Sequence, residues 1–285
     1  MGSERVLSRR EFIQGSLAAV FGGALLSESG KGIVAADTDS LHGFLESPTQ
    51  VDVVYGQRMR AMLDFLEVGR PCDVRWVHRA NSRAKLDYFF DSPEIKFVEL
   101  DFRYDDERGL YIGHDKGDRS DADPAFLQRR LAFSEIPKAI KYDCKDDGSV
   151  REVIHIVPEA PFMLNAGLFG SESYQMSPQD LVDVASDHPG VIFSIGRNLH
   201  KPRYSEEMMK DYIDLVNRNP DQEFTVPVHI QELMSGVAPF EAFLALPHTS
   251  LTVFRTQGYE VTQGHVQWLR DHLPDEVRAN TFFDL

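Results

Sequence analysis

The sequence predicts an α/β fold: a closed (β/α)8 barrel of the TIM type, forming a single domain. Three observations lead there. Eight short apolar runs of strand character recur from residue 73 onward. Helix-patterned stretches separate most of them, which implies parallel strands joined by crossovers. Polar residues gather at the carboxyl ends of the runs, the end at which such barrels carry their active sites. An open doubly wound sheet is the competing architecture.

The elements follow in order. Residues 37–72 read as an N-terminal arm and helix, with Met59, Met62, Leu63 and Leu66 at helical spacing within 56–68. The strand runs are 73–79, 97–104, 138–145, 161–168, 191–198, 224–230, 250–257 and 280–285. Helical patterns occupy 81–90, 177–186, 205–218, 237–246 and 262–273, and a short one occupies 148–156. Ser177-Pro178 supplies an N-cap followed by proline at the first helical position. Ser205 precedes Glu206 and Glu207, whose charges suit a helix N-terminus. Trp76 falls in the barrel interior, and Trp268 packs at helical spacing with Val261 and Leu269.

Composition narrows the classes of function. The chain has 285 residues, is 42% hydrophobic and carries a formal charge of -15. A core of useful size is available. An acidic balance argues against nucleic-acid binding and against a basic membrane-facing surface. Residues 1–36 stand apart. Ser8-Arg9-Arg10-Glu11-Phe12-Ile13-Gln14 is a twin-arginine pattern, followed by an apolar stretch over 15–26 and a small-residue cleavage site at Val34-Ala35-Ala36. These features predict a Tat-type signal peptide, the Tat export machinery as a partner, and a periplasmic or extracellular destination. The stretch is short of the ~20 apolar residues of a membrane span. No other segment is apolar enough to make one, so no integral membrane span is expected after signal removal. An exported protein could pair Cys72 with Cys144, but they match no CxxC or zinc pattern and are expected as free or buried thiols.

The chemistry concentrates between residues 78 and 143. Glu99 and Asp101 stand at i and i+2 of one strand, so both carboxylates point to one side. Such a pair is tolerable only beside water or a cation. They are expected to ligate one divalent cation, Mg²⁺ or Ca²⁺, since oxygen ligands suit these ions better than zinc. Asp143 sits at equivalent height on the next strand as a third ligand; the plain alternative is a salt bridge to Lys141 or Lys145. Lys145, two residues on, faces the same side and suits a phosphate oxygen. His78 and His114 are candidate acid and base, and Asp115 either orients His114 or caps the loop. Arg79 is a substrate contact or an ordinary salt bridge. Asn81 is an outer ligand or a helix N-cap. Asn165, Arg197-Asn198, His229, Arg255-Thr256 and Asp284 complete the polar strand ends. His155, His188, His200, His248, His265 and His272 read as surface residues.

The order His78-Arg79, Glu99-x-Asp101, His114-Asp115, Asp143-x-Lys145 resembles the HR, ExD, HD and ExK motifs of glycerophosphodiester phosphodiesterases. It is similar also to the layout of sphingomyelinase D-like and phosphatidylinositol phospholipase C-like barrels. A closer resemblance, over about residues 73–285, is to the menorin family. It is carried by Trp76-Val-His78-Arg-Ala-Asn81-Ser82, Val98-Glu-Leu-Asp101, Ile112-Gly-His114, Ile140-Lys-Tyr-Asp143-Cys-Lys145, Phe162-Met-Leu-Asn165-Ala, Phe193-Ser-Ile-Gly196, Tyr204-Ser, Thr225-Val-Pro-Val228, Leu251-Thr-Val-Phe254 and Phe283-Asp284. The resemblance implies a barrel of the phospholipase C-like phosphodiesterase type with one divalent cation. Ala80 replaces the phosphodiesterases' glycine, and Asp143 replaces their usual glutamate. Their downstream glutamate-asparagine-threonine motif is missing.

The expected function is an exported, metal-dependent phosphodiesterase acting on a glycerophosphodiester or phospholipid-type substrate. Glu99, Asp101 and Asp143 hold the cation; His78 and His114 move protons; Lys145, Arg79, Asn81 and Asn165 contact substrate. By the resemblance, attack by a substrate hydroxyl yields a cyclic phosphate. The alternative is a non-catalytic protein that binds an anionic ligand or partner protein at the same rim. A glycosidase fits poorly, because two carboxylates on one strand do not flank a glycosidic bond.

Overall fold

The computed structural model describes residues 55–118, 120–167, 176, 178–196, 204–255 and 261–284. The proposed signal and the arm up to residue 54 therefore lie outside the described residues, as do Arg197, Asn198, His200 and Thr256. Eight parallel strands run in the order β1 (Arg75–Val77), β2 (Ile95–Asp105), β4 (Ala139–Cys144), β5 (Phe162–Gly167), β6 (Val191–Gly196), β7 (Phe224–His229), β8 (Thr249–Phe254) and β9 (Thr281–Asp284). The rings of Trp76 on β1 and Phe282 on β9 lie 6.0 Å apart across the seam. The sheet is thus a nearly closed barrel, not an open doubly wound sheet.

The helices are α1 (Gln57–Leu66), α2 (Arg83–Asp91), α3 (Pro124–Ala132), α4 (Asp147–Val153), α5 (Pro178–Asp187), α6 (Glu206–Arg218), α7 (Ile230–Met234), α8 (Ala238–Leu244), α9 (Gln263–His272) and α10 (Asp275–Ala279). Ser205 caps α6 by accepting from the Met208 amide at 3.1 Å. Among the described residues, no helix is long and apolar enough to cross a membrane.

Two elements depart from the sequence expectation. β3 (Gly109–Ile112) pairs antiparallel with the far half of β2, so β2 runs past the barrel as one arm of a hairpin. Helix α3, absent from the pattern reading, fills the crossover from β3 to β4. Its start carries the cap signature already noted at Ser177-Pro178. Asp123 accepts from the Phe126 amide at 2.6 Å, and Pro124 takes the first turn.

Alternation along the strands separates the layers. Val98, Leu100, Phe102, Ile140, Tyr142, Leu164 and Phe193 face outward into one large core beneath the helices. Trp76, Phe97, Ala139, Met163, Ile192 and Phe282 face inward at the amino-terminal end. Helix α1 plugs that end with Met59, Met62, Leu63 and Leu66. Each such buried side chain contributes about 1.5–3 kcal/mol. Buried Glu223, just before β7, holds the plug by accepting from the Arg58 and Met59 amides at 2.6 and 2.8 Å. Above this apolar floor the interior turns polar. The register aligns Asp101, Asp143, Asn165, Ser194, Thr225 and Ser250 across six successive strands. Cys72 and Cys144 are buried free thiols, as expected; Cys144 points outward into the core.

Candidate active site

The site forms where the polar layer is most acidic. β2 presents Glu99 and Asp101 inward, and the register sets Glu99 beside Lys141 and Asp101 beside Asp143. Oxygens of the three carboxylates lie within 4.8 Å of one another. All three residues are buried. Two like charges at that separation repel by about 3–4 kcal/mol at an effective dielectric near 20. The cluster is therefore stable only with cations inside it.

Three basic side chains supply them. Lys141 Nζ donates to Glu99 Oε2 at 2.6 Å, both groups being buried. Lys145 Nζ lies 2.5 Å from Asp143 Oδ2 and 2.9 Å from Asp101 Oδ1. Arg79 Nε stands 3.6 Å from Asp101 Oδ2. Arg79 adopts a left-handed backbone (φ 50°) at the end of β1, a conformation that costs a non-glycine residue on the order of 1–3 kcal/mol. The sequence reading offered Asp143 a salt bridge to Lys141 or Lys145; the ion pair is present with Lys145, while Lys141 donates to Glu99. Period-2 alternation in Ile140-Lys-Tyr-Asp143 already placed it inside the barrel.

Amide side chains fix the outer oxygens of the two aspartates. Asn81 Nδ2 donates to Asp101 Oδ2 at 2.6 Å, and the Asp101 amide returns a bond to Asn81 Oδ1 at 3.0 Å. Asn165 Nδ2 donates to Asp143 Oδ1 at 2.7 Å. The N-cap of α2 is Ser82, so Asn81 serves the carboxylate rather than the helix end. The remaining oxygens, Asp101 Oδ1 and Asp143 Oδ2, converge. Asp101 Oδ1 is fully buried and receives no aligned hydrogen bond; Lys145 meets it as an ion pair only. A buried carboxylate oxygen without an aligned donor, beside a second convergent oxygen, suits a hard divalent cation. Glu99, Asp101 and Asp143 are the residues that would hold it.

The electrostatics differ from one acid to the next. Burial raises the Asp101 carboxyl, and Asp143 and Glu99 push it further up against the pull of Lys145. Burial would raise Asp143 as well. There Lys145, Lys141 and the Asn165 bond prevail and bring it down to about 2. Burial works against the Lys145 ammonium, but Asp143, Asp101 and Glu99 more than offset it and hold the charge.

One histidine touches the cluster, and the other follows the hairpin beside it. His78 follows β1, with Nδ1 3.2 Å from Glu99 Oε1. His114 follows β3, with Nδ1 2.8 Å from Asp115 Oδ1, the first of the two places the sequence offered Asp115. Arg103 Nε holds the His114 carbonyl at 2.7 Å, and the Gly113 amide bonds the Asp101 carbonyl at 3.0 Å. A Cβ at Gly113 would stand 2.4 Å from the Asp118 carbonyl, so the approach to His114 requires glycine. The hairpin thus sets the backbone ahead of His114 against Asp101 on β2.

Other expected positions resolve differently. His229 Nδ1 accepts from the Gln231 amide at 3.3 Å and caps α7, its ring edge-on to Phe254 at 5.5 Å. His265 is a helix-cap partner, its ring nitrogen 2.9 Å from the Thr262 amide, and not a plain surface residue. The side chain of Asp284 lies outside the described residues.

Three solved structures are similar to the chain at low identity. One, designated a glycerophosphodiester phosphodiesterase from Galdieria sulphuraria, is 10% identical over 74% of this chain and 93% of its own, with a TM-score of 0.49. A glycerophosphoryl diester phosphodiesterase from Parabacteroides distasonis is 12% identical over 88% and 89%, at 0.47. The carboxyl transferase domain of Rhizobium etli pyruvate carboxylase is 9% identical over 89% and 50%, at 0.43. No curated protein matches the chain. The family profile of the menorin N-terminal domain matches residues 71–285, which take in every barrel strand and every acid, base and amide of the site. By that match, the chain belongs to the menorin family.

Proposed function

We propose that this menorin-family barrel is an exported, metal-dependent phosphodiesterase. One observation carries the reading: two convergent aspartate oxygens and a glutamate gather beside Lys145 and His78, and the backbone ahead of His114 bonds the Asp101 carbonyl. A bound divalent cation supplies charge neutralisation to the phosphate as it reacts. The chain's own residues do the rest. Lys145 and Arg79 bind the non-bridging oxygens. Glu99 and Asp115 each accept at a histidine Nδ1, which orients the imidazole toward the rim. One histidine takes the proton from the attacking hydroxyl as its oxygen bonds to phosphorus. The other protonates the leaving oxygen as the old P–O bond breaks. Asn81 and Asn165 keep the aspartates aimed. The substrate class is a glycerophosphodiester or phospholipid-type diester, and residues 1–36 direct export.

The test is turnover of a diester panel with Mg²⁺ or Ca²⁺. His114→Ala should lose on the order of a hundredfold or more in rate. Metal binding without turnover on any diester would replace this reading with a non-catalytic binder. Export is checked by fractionation of the full chain and of Arg9→Lys/Arg10→Lys; equal retention of both inside the cell would refute it.

A further inference from the structure

The acid cluster as it stands is balanced: three carboxylates meet Lys141, Lys145 and Arg79. A divalent ion added to this arrangement brings two further charges. Magnesium takes its oxygens at about 2.1 Å, and calcium at about 2.4 Å. The Lys145 ammonium already lies 2.9 and 2.5 Å from Asp101 Oδ1 and Asp143 Oδ2, the two oxygens that the asparagines leave facing inward. Ammonium and metal cannot hold these two oxygens together, because like charges would stand in direct contact.

We propose that metal entry displaces Lys145 from Asp101 and Asp143 and swings its ammonium to the rim, where it meets the substrate phosphate. The inference rests on the metal-dependent reading above and adds an order to it, metal first and phosphate second. Position decides which cation moves. Lys145 lies one residue beyond β4, is partly open to solvent, and carries its charge on a flexible four-carbon stem. Lys141 is sealed inside the barrel, its ammonium 5.6 Å from the Trp76 ring centre and bonded to Glu99. Arg79 faces Asp101 Oδ2, the oxygen that Asn81 already holds, and so does not lie on the two inward-facing oxygens. The coupling is reciprocal: a phosphate that engages the displaced lysine strengthens metal binding by the same factor.

The experiment reads Lys145 directly, without turnover. The folded full chain is reductively methylated with and without saturating Mg²⁺ or Ca²⁺, and labelling is followed by peptide mass spectrometry. Lys138, buried and bonded to the Phe89, Ser92 and Ile95 carbonyls, is the internal control. Labelling of Lys145 should rise severalfold with metal while Lys138 stays constant. In parallel, calorimetry on Lys145→Met should show divalent-ion affinity up by about tenfold, as removal of a competitor requires. Unchanged Lys145 labelling at metal saturation overturns the displacement and leaves the metal site standing. Absence of metal binding in both wild type and variant overturns the site and the displacement together. If Lys145→Met does not fold, the wild-type labelling decides alone.

Discussion

Removing the Lys141 charge tests how the barrel tolerates acids in its interior. Lys141 Nζ and Glu99 Oε2 are 2.6 Å apart, and both side chains are 3% exposed. At an effective dielectric near 20, the gross attraction at that distance is about 6 kcal/mol. Desolvation of both ions cancels much of it, so the pair adds little over a well-packed apolar pair. Deleting only the lysine is another matter, since Glu99 then keeps its burial without its strongest partner. The expected loss for Lys141→Met is about 3 kcal/mol, at the low end for a broken buried pair because His78 still faces Glu99 Oε1. For a domain of this size that is a fall in Tm of about 6–12 °C. The assay is thermal and urea unfolding in metal-free buffer, with Glu99→Gln and the double variant completing a cycle. The double variant should recover at least half of the loss. A Lys141→Met loss under about 1 kcal/mol, or a double variant less stable than Lys141→Met, would refute the assignment of this pair as the internal counter-charge.

Three further outcomes follow from the same geometry. Gly113→Ala should cost about 1–3 kcal/mol and reduce turnover more than substrate affinity, because the Asp118 carbonyl must yield 2.4 Å from the new Cβ and His114 moves with it; unchanged kcat would show that His114 is not placed by this contact. Asp143 is held down to about 2, below its unfolded value near 3.9, so its contribution of about 2 kcal/mol is present above pH 4 and lost as pH falls toward 2. Acid unfolding of Asp143→Asn should accordingly be shallower over that window. Asp101 has the opposite sign: its raised carboxyl favours the fold at low pH and works against it once ionised. Asp101→Asn should therefore raise the Tm of the metal-free protein near pH 7 and abolish the further rise on adding Mg²⁺ or Ca²⁺; a lowered Tm would contradict the burial argument.

Much of the fold was legible because its signals are local. Short apolar runs between helical patterns marked the eight barrel strands, and Met59, Met62, Leu63 and Leu66 marked α1. β3 escaped because Gly109-Leu-Tyr-Ile112 is short and acquires strand character only by pairing with β2. Helix α3 escaped although Asp123-Pro124 carries an N-cap and proline start. In the site, the ExD spacing forced Glu99 and Asp101 to one face, and Asp143-Cys-Lys145 behaved likewise. No local rule states which cation meets which acid.

By itself, the sequence determined the barrel class, the inward face of each acidic strand and the resemblance that places the chain in its family. Side-chain period and cap chemistry are properties of neighbouring residues, so they survive without the fold. Only the tertiary structure decided that Lys141 belongs to Glu99, that Asn81 and Asn165 pin opposite oxygens, and that Lys145 lies on the two oxygens a metal would take. Those pairings depend on strand register and burial. A shift of one residue between β2 and β4 would exchange every partner while leaving the sequence pattern unchanged.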